Sequence, residues 1–252
     1  MKRMHIFEVM DQNLFPDILR QSMTRYLMQL HKVVGTSDYL VPILDEILIK
    51  TKSRVIYDLC SGSGGPIVDA VRSIQEHNDV QLILSDKYPP QECIFDTGVS
   101  YAQECKDVLN MTYNEEAIYT FIASFHHFQP KDAHTILQRI TEKKHPICIF
   151  ELSDNAFSNC IWWIPIVPSF ITVFVLTLFV RPIRWEQWLF TYIIPILPFC
   201  IAWDGAVSNA RTYTKEDWKE LGTSIPNYDW EVREIENKTP SKMLAVIGLP
   251  RA

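Results

Sequence analysis

Residues 54–59 (RVIYDL) run without a break into Cys60-Ser61-Gly62-Ser63-Gly64-Gly65-Pro66, and no other stretch limits the fold as much. A short β-branched, apolar run reads as a buried strand. Glycines at its end let the backbone turn tightly and approach a ligand closely. Pro66 suits the first turn of a helix, where its missing N–H costs nothing. Three of the eight glycines in the 252-residue chain stand at this one turn. Strand, glycine loop and helix in that order begin a parallel α/β sheet.

The rest of the chain extends this pattern. Residues 17–30 and 39–49 space their apolar side chains as helices, with Gly35-Thr36-Ser37 as the turn between them. Further apolar runs, 81–85 (QLILS), 118–124 (IYTFIAS) and 146–152 (PICIFEL), read as buried strands, and 99–103 as a short one. A helix is expected over 131–141, and two closing strands over 230–235 and 243–249. Uninterrupted apolar strands alternating with helices imply a sheet covered on both faces. Such sheets bind ligands at the carboxyl ends of their strands. The polar residues expected there are Asp58, Cys60, Gly62, Gly64, Asp86, Ser124, His126, His127 and Glu151.

Two nucleotide-type loops can be compared with residues 58–65. A dinucleotide loop, G-x-G-x-x-G/A, meets Ile67 at its third small position, and a P-loop fails because no GK[ST] follows. DLCSGSGG after RVIY instead resembles the first motif of class I S-adenosylmethionine-dependent methyltransferases, with Cys60 in the first glycine position. Asp86, ending the second strand 22 residues after Gly64, resembles that family's ribose-binding acid. Asp107 in CKDVLNM, with Val108 beside it, resembles the acid near the adenine amino group, and SFHHF (124–128) resembles the fourth motif. Leu14-Phe15-Pro16 and the WDG-x-V-S-x-x-R-T-Y segment at 203–213 resemble a group of bacterial methyltransferase-like proteins. The resemblance implies a doubly wound, seven-stranded Rossmann-like sheet whose last strands form an antiparallel pair. It also implies S-adenosyl-L-methionine as cofactor, held by Asp58, Cys60, Gly62, Gly64, Asp86, Lys87, Asp107, Val108 and Ser124. Lys87 is either beside the methionine carboxylate or solvated.

A second feature interrupts the sheet. Residues 155–180 carry no charge over 26 positions and residues 187–203 none over 17, with Arg181-Pro-Ile-Arg-Trp-Glu186 between them. The first run is long enough to cross a bilayer and the second is marginal. Ile164-Pro165-Ile-Val-Pro168 and Ile194-Pro195-Ile-Leu-Pro198 repeat a pattern that bends helices. Three readings follow: a spanning hairpin, a hairpin dipping into one leaflet, or a buried subdomain or dimer interface. A cofactor-using domain on both sides places both ends in the cytoplasm. A spanning hairpin would then put Arg181 and Arg184 outside, against the positive-inside tendency. Trp162, Trp163, Trp185 and Trp188 suit interfacial anchors or core aromatics alike. The expected layout is a helical cap (1–50), a cofactor-binding core (51–154), the apolar hairpin (155–203) and a polar substrate segment with the last strands (204–252).

The formal charge of −6 argues against a phosphate-neutralising nucleic-acid surface. Six cysteines without CxxC pairs read as reduced, buried thiols, and no metal-ligand spacing is evident. No apolar stretch follows the basic start, so no signal peptide is read there. His126, His127, Glu151, Asp204 and Tyr213 are the candidates for placing or deprotonating an acceptor, because an in-line methyl transfer needs alignment and, for a hydroxyl or ammonium, a base. The expectation is a membrane-associated methyltransferase facing the cytoplasm and acting on a lipid-soluble or amphiphilic small molecule, with self-association left open. A soluble methyltransferase with an apolar lid, a non-catalytic cofactor-binding membrane protein and an aminopropyl transferase are the other readings.

Overall fold

The computed structural model describes residues 1–88, 98–102, 107–155, 157, 159–237 and 241–251. Seven strands form one sheet: β1 (Val55–Leu59), β2 (Gln81–Ser85), β3 (Val99–Tyr101), β4 (Ile118–Ile122), β5 (Ile147–Glu151), β6 (Tyr228–Ile235) and β7 (Met243–Pro250). Their order is β3-β2-β1-β4-β5-β7-β6. The first five run parallel, while β7 is antiparallel to both β5 and β6. The chain thus winds outward from β1 in one direction and from β4 in the other. The crevice at such a reversal is where open α/β sheets bind ligands.

Strand alternation builds two cores. Cys148 and Phe150 of β5 join Met243, Ala245 and Ile247 of β7 on the face covered by α2 (Thr36–Thr51) and α3 (Gly65–Gln75). Ile147 and Ile149, with Leu244 and Val246, meet α4 (Pro130–Glu142) and α8 (Lys215–Thr223) on the other. Neighbouring residues of a strand point to opposite faces, so a strand buried on both sides must be apolar throughout. The reading of 146–152 rested on that. The cysteines only partly match expectation: Cys148 is buried, Cys60 and Cys200 are half-buried, and Cys160 is exposed. Cys93 and Cys105 lie outside the described residues, as do Pro89 and Pro90.

The N-terminal region differs from a purely helical cap. Helix α1 (Asp17–Val34) meets α2 at Gly35, whose φ of 74° closes α1 in the left-handed conformation. The residues before α1 form instead an extended strap along α7 (Ile196–Arg211). Its contacts include Met4 N–H to Ala210 O at 2.9 Å and Trp203 Nε1 to Phe7 O at 3.0 Å. Helix α8 was not anticipated either. Thr214 and Asp217 form a reciprocal capping box at its start.

The apolar insertion is helical but broken. It comprises α5 (Ile166–Thr177), α6 (Trp185–Trp188), a π turn (Leu189–Ile193) and α7. Among the described residues no single helix is long and apolar enough to cross a membrane. The pair Trp185–Ile193 and Ile196–Arg211 passes by summed length but bends by 84°. Twelve residues of α5 span about 18 Å, against about 30 Å of bilayer hydrocarbon. The break falls at Ile194-Pro195, where the proline lacks a donor. Helix α7 runs through 203–204 without interruption, so the expected domain boundary there lies inside a helix. The inner face of the insertion, Val173, Leu176, Leu197 and Ile201, packs on Leu19, Met23 and Tyr26 of α1. Its outer face, including Val167, Ile171, Val175 and Phe179 at four-residue spacing, is exposed.

Gly248 of β7 lies opposite Trp230 of β6. A Cβ there would stand 2.6 Å from Trp230 Cζ3 and 2.9 Å from Cη2. Gly248→Ala should therefore cost about 1–3 kcal/mol of stability by overpacking, read from urea unfolding. Gly205→Ala, exposed in α7 with nothing within 4 Å, should be neutral or stabilising.

Candidate active site

The loop after β1 is fastened to the end of β2. Ser61 N–H donates to Ser85 O at 3.0 Å, and Ser61 Oγ accepts Ser85 N–H at 3.1 Å while donating to Asp58 O at 2.8 Å. Cys60, Gly62, Gly64 and Gly65 have positive φ, from 45° to 86°. Asp86 holds the loop from outside: Oδ2 accepts Gly62 N–H at 2.9 Å and Oδ1 accepts Tyr88 N–H at 2.8 Å. Tyr101 hydroxyl donates to Gly62 O at 3.1 Å. A cleft of about 200 Å³, lined by His31, Ser63, Gly65 and Pro66, opens between this loop and α1. Another, of about 560 Å³, is lined by His134, Tyr228 and Pro250 at the opposite edge of the sheet and holds none of the candidate residues.

The other donor-side candidates are placed as follows. Asp107 accepts Leu109 N–H at 3.1 Å and pairs with Lys87 Nζ at 3.0 Å. Burial pushes its carboxyl up, but Lys87 and the Leu109 N–H outweigh this and hold it below the usual range. Lys87 is exposed as well as paired with Asp107. Val108 is buried, and its carbonyl accepts the Tyr113 hydroxyl at 2.7 Å. Burial, with Asp86 nearby, pushes the Cys60 thiol far up, so it stays protonated. Ser124 Oγ and Ser85 Oγ, at the ends of β4 and β2, are buried without a hydrogen-bond partner among the described residues.

Asp58 is buried, and Thr120 Oγ1 donates to its Oδ1 at 2.6 Å. Burial pushes its carboxyl up to about 7, against the Thr120 and Ser61 hydrogen bonds. A carboxyl whose folded pKa exceeds its unfolded value, about 3.9, binds more protons when folded. Its stabilising contribution is complete below about 3.9 and is lost as pH rises through about 7. Thermal melts of the cofactor-free protein should fall between pH 4 and 7 more steeply for wild type than for Asp58→Asn. Equal slopes would remove Asp58 as the cause.

The opposite side of the crevice is built by β4, β5, α7 and the strap. β4 ends in a 3₁₀ turn, Phe125–His127. Both oxygens of Glu151, ending β5, are engaged by His126: its backbone N–H donates at 3.0 Å and its ring Nδ1–H at 2.8 Å. Glu151 therefore positions His126 rather than pairing with Arg211. The strap brings Glu8 Oε1 to 3.7 Å from His126 Nε2 and Glu8 Oε2 to 3.8 Å from His127 Nδ1. Arg211, buried, donates from Nε to Ile6 O at 2.6 Å and from Nη1 to Asp11 Oδ2 at 2.9 Å, with Glu8 Oε1 at 3.1 Å. Burial raises Asp11, but His127 and Arg211 outweigh it and hold Asp11 well below the usual carboxylate range. Despite burial, Asp11 and Glu8 raise His127 above its ordinary value.

Two candidates turn out to be anchors. Asp204 accepts Val9 N–H at 2.6 Å and Met10 N–H at 3.0 Å, and burial pushes it up to about 6. It holds the strap, and Arg211 is not its partner. Tyr213 donates its hydroxyl to Phe128 O at 2.9 Å, and its ring carries the Arg3 guanidinium at 4.3 Å. The sequence reading missed Glu8, Asp11 and Arg3, because nothing in MKRMHIFEVMDQ has spacing that points to a site. It also anticipated no metal ligands, yet one ligand atom from each of Glu8, His126 and His127 falls within 4.8 Å of the others.

No family model and no curated protein matches the chain. Solved structures do. Human N-acetylserotonin methyltransferase, in complex with SAM, superposes with a TM-score of 0.55 at 14% identity over 96% of this chain and 60% of that one. The plantazolicin methyltransferase BpumL, in complex with a pentazolic desmethylPZN analog and SAH, gives 0.51 at 9% identity over 94% and 99%. The chain spans about 60% of the human enzyme's length, and likeness at such identities speaks for the fold. Strand order, the antiparallel last pair and the glycine loop at the switch point agree: the chain has the Rossmann-like fold of class I methyltransferases.

Proposed function

We propose that the protein is an S-adenosylmethionine-dependent methyltransferase working at the cytoplasmic surface of a membrane on an amphiphilic or lipid-soluble acceptor. The observation carrying the transferase reading is the facing of two differently built edges across the β1–β4 switch point. One is a glycine loop locked to Asp86. The other is a cluster of Glu8, Asp11, His126 and His127 braced by Glu151. Bound S-adenosylmethionine would supply an electrophilic methyl on a sulfonium. The loop after β1 leaves room for close backbone approach, Asp86 is the acceptor for ribose hydroxyls, and Asp107 lies beyond β3 for the adenine side. The His–carboxylate cluster faces the acceptor and takes up the proton that a hydroxyl or ammonium acceptor loses. Both solved relatives described above hold SAM or SAH on this fold, which supports the cofactor assignment.

The membrane part of the proposal rests on the outer face of the insertion. Contiguous exposed apolar surface marks an interaction site. Here Val167, Ile171, Val175, Phe179, Ile193 and Phe199 share the insertion with exposed Trp163, Trp185 and Trp188. Arg181 and Arg184 are exposed, whereas the one acidic residue between 155 and 203, Glu186, is buried beside Arg25. An acidic chain thus presents only cationic charge along its apolar face, which suits an anionic lipid surface. Helices of this length and bend fit a shallow seat in one leaflet.

Radiolabelled S-adenosylmethionine, purified protein and a membrane-lipid extract give the direct test: label should enter the organic phase. Absence of transfer to lipid and to a water-soluble metabolite pool, together with no calorimetric binding of the cofactor, would overturn the transferase reading. Asp86→Asn should weaken cofactor binding by about tenfold or more, since a charged acceptor is lost; unchanged affinity would move the ribose site elsewhere. In flotation assays the protein should rise with anionic vesicles, less with zwitterionic ones, and Ile171→Asp with Val175→Asp should abolish flotation. A monodisperse dimer that ignores vesicles would reassign this face to self-association.

A further inference from the structure

The cluster under the strap sets a histidine nitrogen against a carboxylate oxygen with no hydrogen bond between them, although Ser208 Oγ donates to Glu8 Oε1 at 3.0 Å and His127 Nδ1 lies 3.4 Å from Asp11 Oδ2. His126 Nδ1–H is committed to Glu151 Oε2 at 2.8 Å, which turns the Nε2 lone pair toward Glu8 Oε1 at 3.7 Å. At that distance two acceptors face each other with no hydrogen bond between them. His127 Nδ1 stands 3.8 Å from the other oxygen of Glu8. Ligand atoms around a four-coordinate ion with bonds near 2.0–2.1 Å lie about 3.3 Å apart; one ligand atom from each of these three residues falls within 4.8 Å of the others, so they must close in by up to about 1.5 Å. A carboxylate on the far nitrogen of a histidine is the usual outer brace of a metal-bound imidazole, and Glu151 has that place. Around the cluster, Glu8, Asp11, Glu151 and Asp204 oppose the guanidinium groups of Arg3 and Arg211, a formal excess of negative charge.

We propose that Glu8, His126 and His127 bind one divalent transition-metal ion, with Glu151 as the outer brace. Two imidazoles and one carboxylate favour an ion such as Zn²⁺ over Mg²⁺ or Ca²⁺, which prefer oxygen ligands. Arg211 Nη1 lies 3.1 Å from Glu8 Oε1 and 3.3 Å from His127 Nδ1, and Ser208 Oγ donates to Glu8 Oε1 at 3.0 Å, so Glu8 must give up both to reach the ion; Asp11 and Ile6 O remain as partners of Arg211. Glu8 and His126 are buried, while His127 and Asp11 are a third or more exposed, so the ion enters from their side. The ligand set stands on these residues whether or not the transferase reading holds, and an ion bound there would replace the proton uptake assigned to the cluster above.

The test uses the full chain, stripped with chelator, dialysed and titrated calorimetrically with Zn²⁺ alone and then Mg²⁺ alone. One Zn²⁺ per chain should bind, far tighter than Mg²⁺. Glu8→Gln and His126→Ala should each weaken binding at least tenfold, and Glu151→Gln by about tenfold to a hundredfold, all with wild-type circular dichroism. Failure of the folded wild-type chain to take up Zn²⁺, or equal uptake by Glu8→Gln and His126→Ala, would overturn the site. Were His126→Ala to misfold, Glu8→Gln alone decides. Cofactor binding measured on the same samples separates the two proposals: zinc without cofactor binding sinks the transferase reading only, and the reverse sinks the metal site only.

Discussion

A single buried guanidinium joins parts of this molecule that lie about 200 positions apart in sequence. Arg211, at the end of α7, bonds Ile6 O and Asp11 of the strap and touches Glu8 and His127. A buried charge is tolerated only when its partners are complete, and losing one partner leaves an uncompensated charge. The strap is therefore not a loose terminus laid on the surface. It supplies partners that Arg211 requires, and Asp204 in turn supplies an acceptor for the Val9 and Met10 N–H groups. Without this reciprocal arrangement, Glu8 and Asp11 would not stand opposite the histidines that end β4.

The glycine-loop edge of the crevice was legible because its parts are local or in adjacent strands. RVIYDL, the glycines and Pro66 predict strand, loop and helix from one stretch. Asp86 needs only the parallel pairing of β1 with β2, in which Leu59 lies against Ser85. The histidine edge was legible only in part. SFHHF marked His126 and His127, but Glu8 reaches them across more than a hundred positions, and no periodicity encodes such a contact. Asp204 illustrates the same limit. Its density of polar neighbours in WDG-x-V-S-x-x-R-T-Y suggested chemistry, whereas the structure spends its oxygens on two backbone N–H groups. For Lys87 residue type could not settle the partner, since Asp107 lies 20 positions on.

The insertion shows a different mixture. Composition marked it as apolar, and the exposed outer face agrees with that. Helix length and bend were not readable from the uncharged run, because Pro165, Pro168, Pro195 and Pro198 divide it. A run of 26 uncharged residues became a 12-residue helix and flanking turns. The inner face found α1, which shares no pattern with it in sequence beyond helical spacing.

Helix α7 carries the exposed apolar face and the histidine cluster's guanidinium on one rigid rod. Its first turn exposes Phe199 beside the apolar face, and its last turn holds Arg211 against Glu8 and Asp11. Twelve residues of helix separate the two, about 18 Å. Glu8, His126 and Arg211 are sealed, so the cluster opens where His127 and Asp11 meet solvent. A surface that seats the Phe199 end of α7 therefore fixes the distance and direction to that opening. An acceptor whose apolar part stays with that surface needs a polar end able to extend about that far. Under the proposed membrane-seated transferase, this spacing would constrain the shape of the acceptor more tightly than the chemistry of the histidines does.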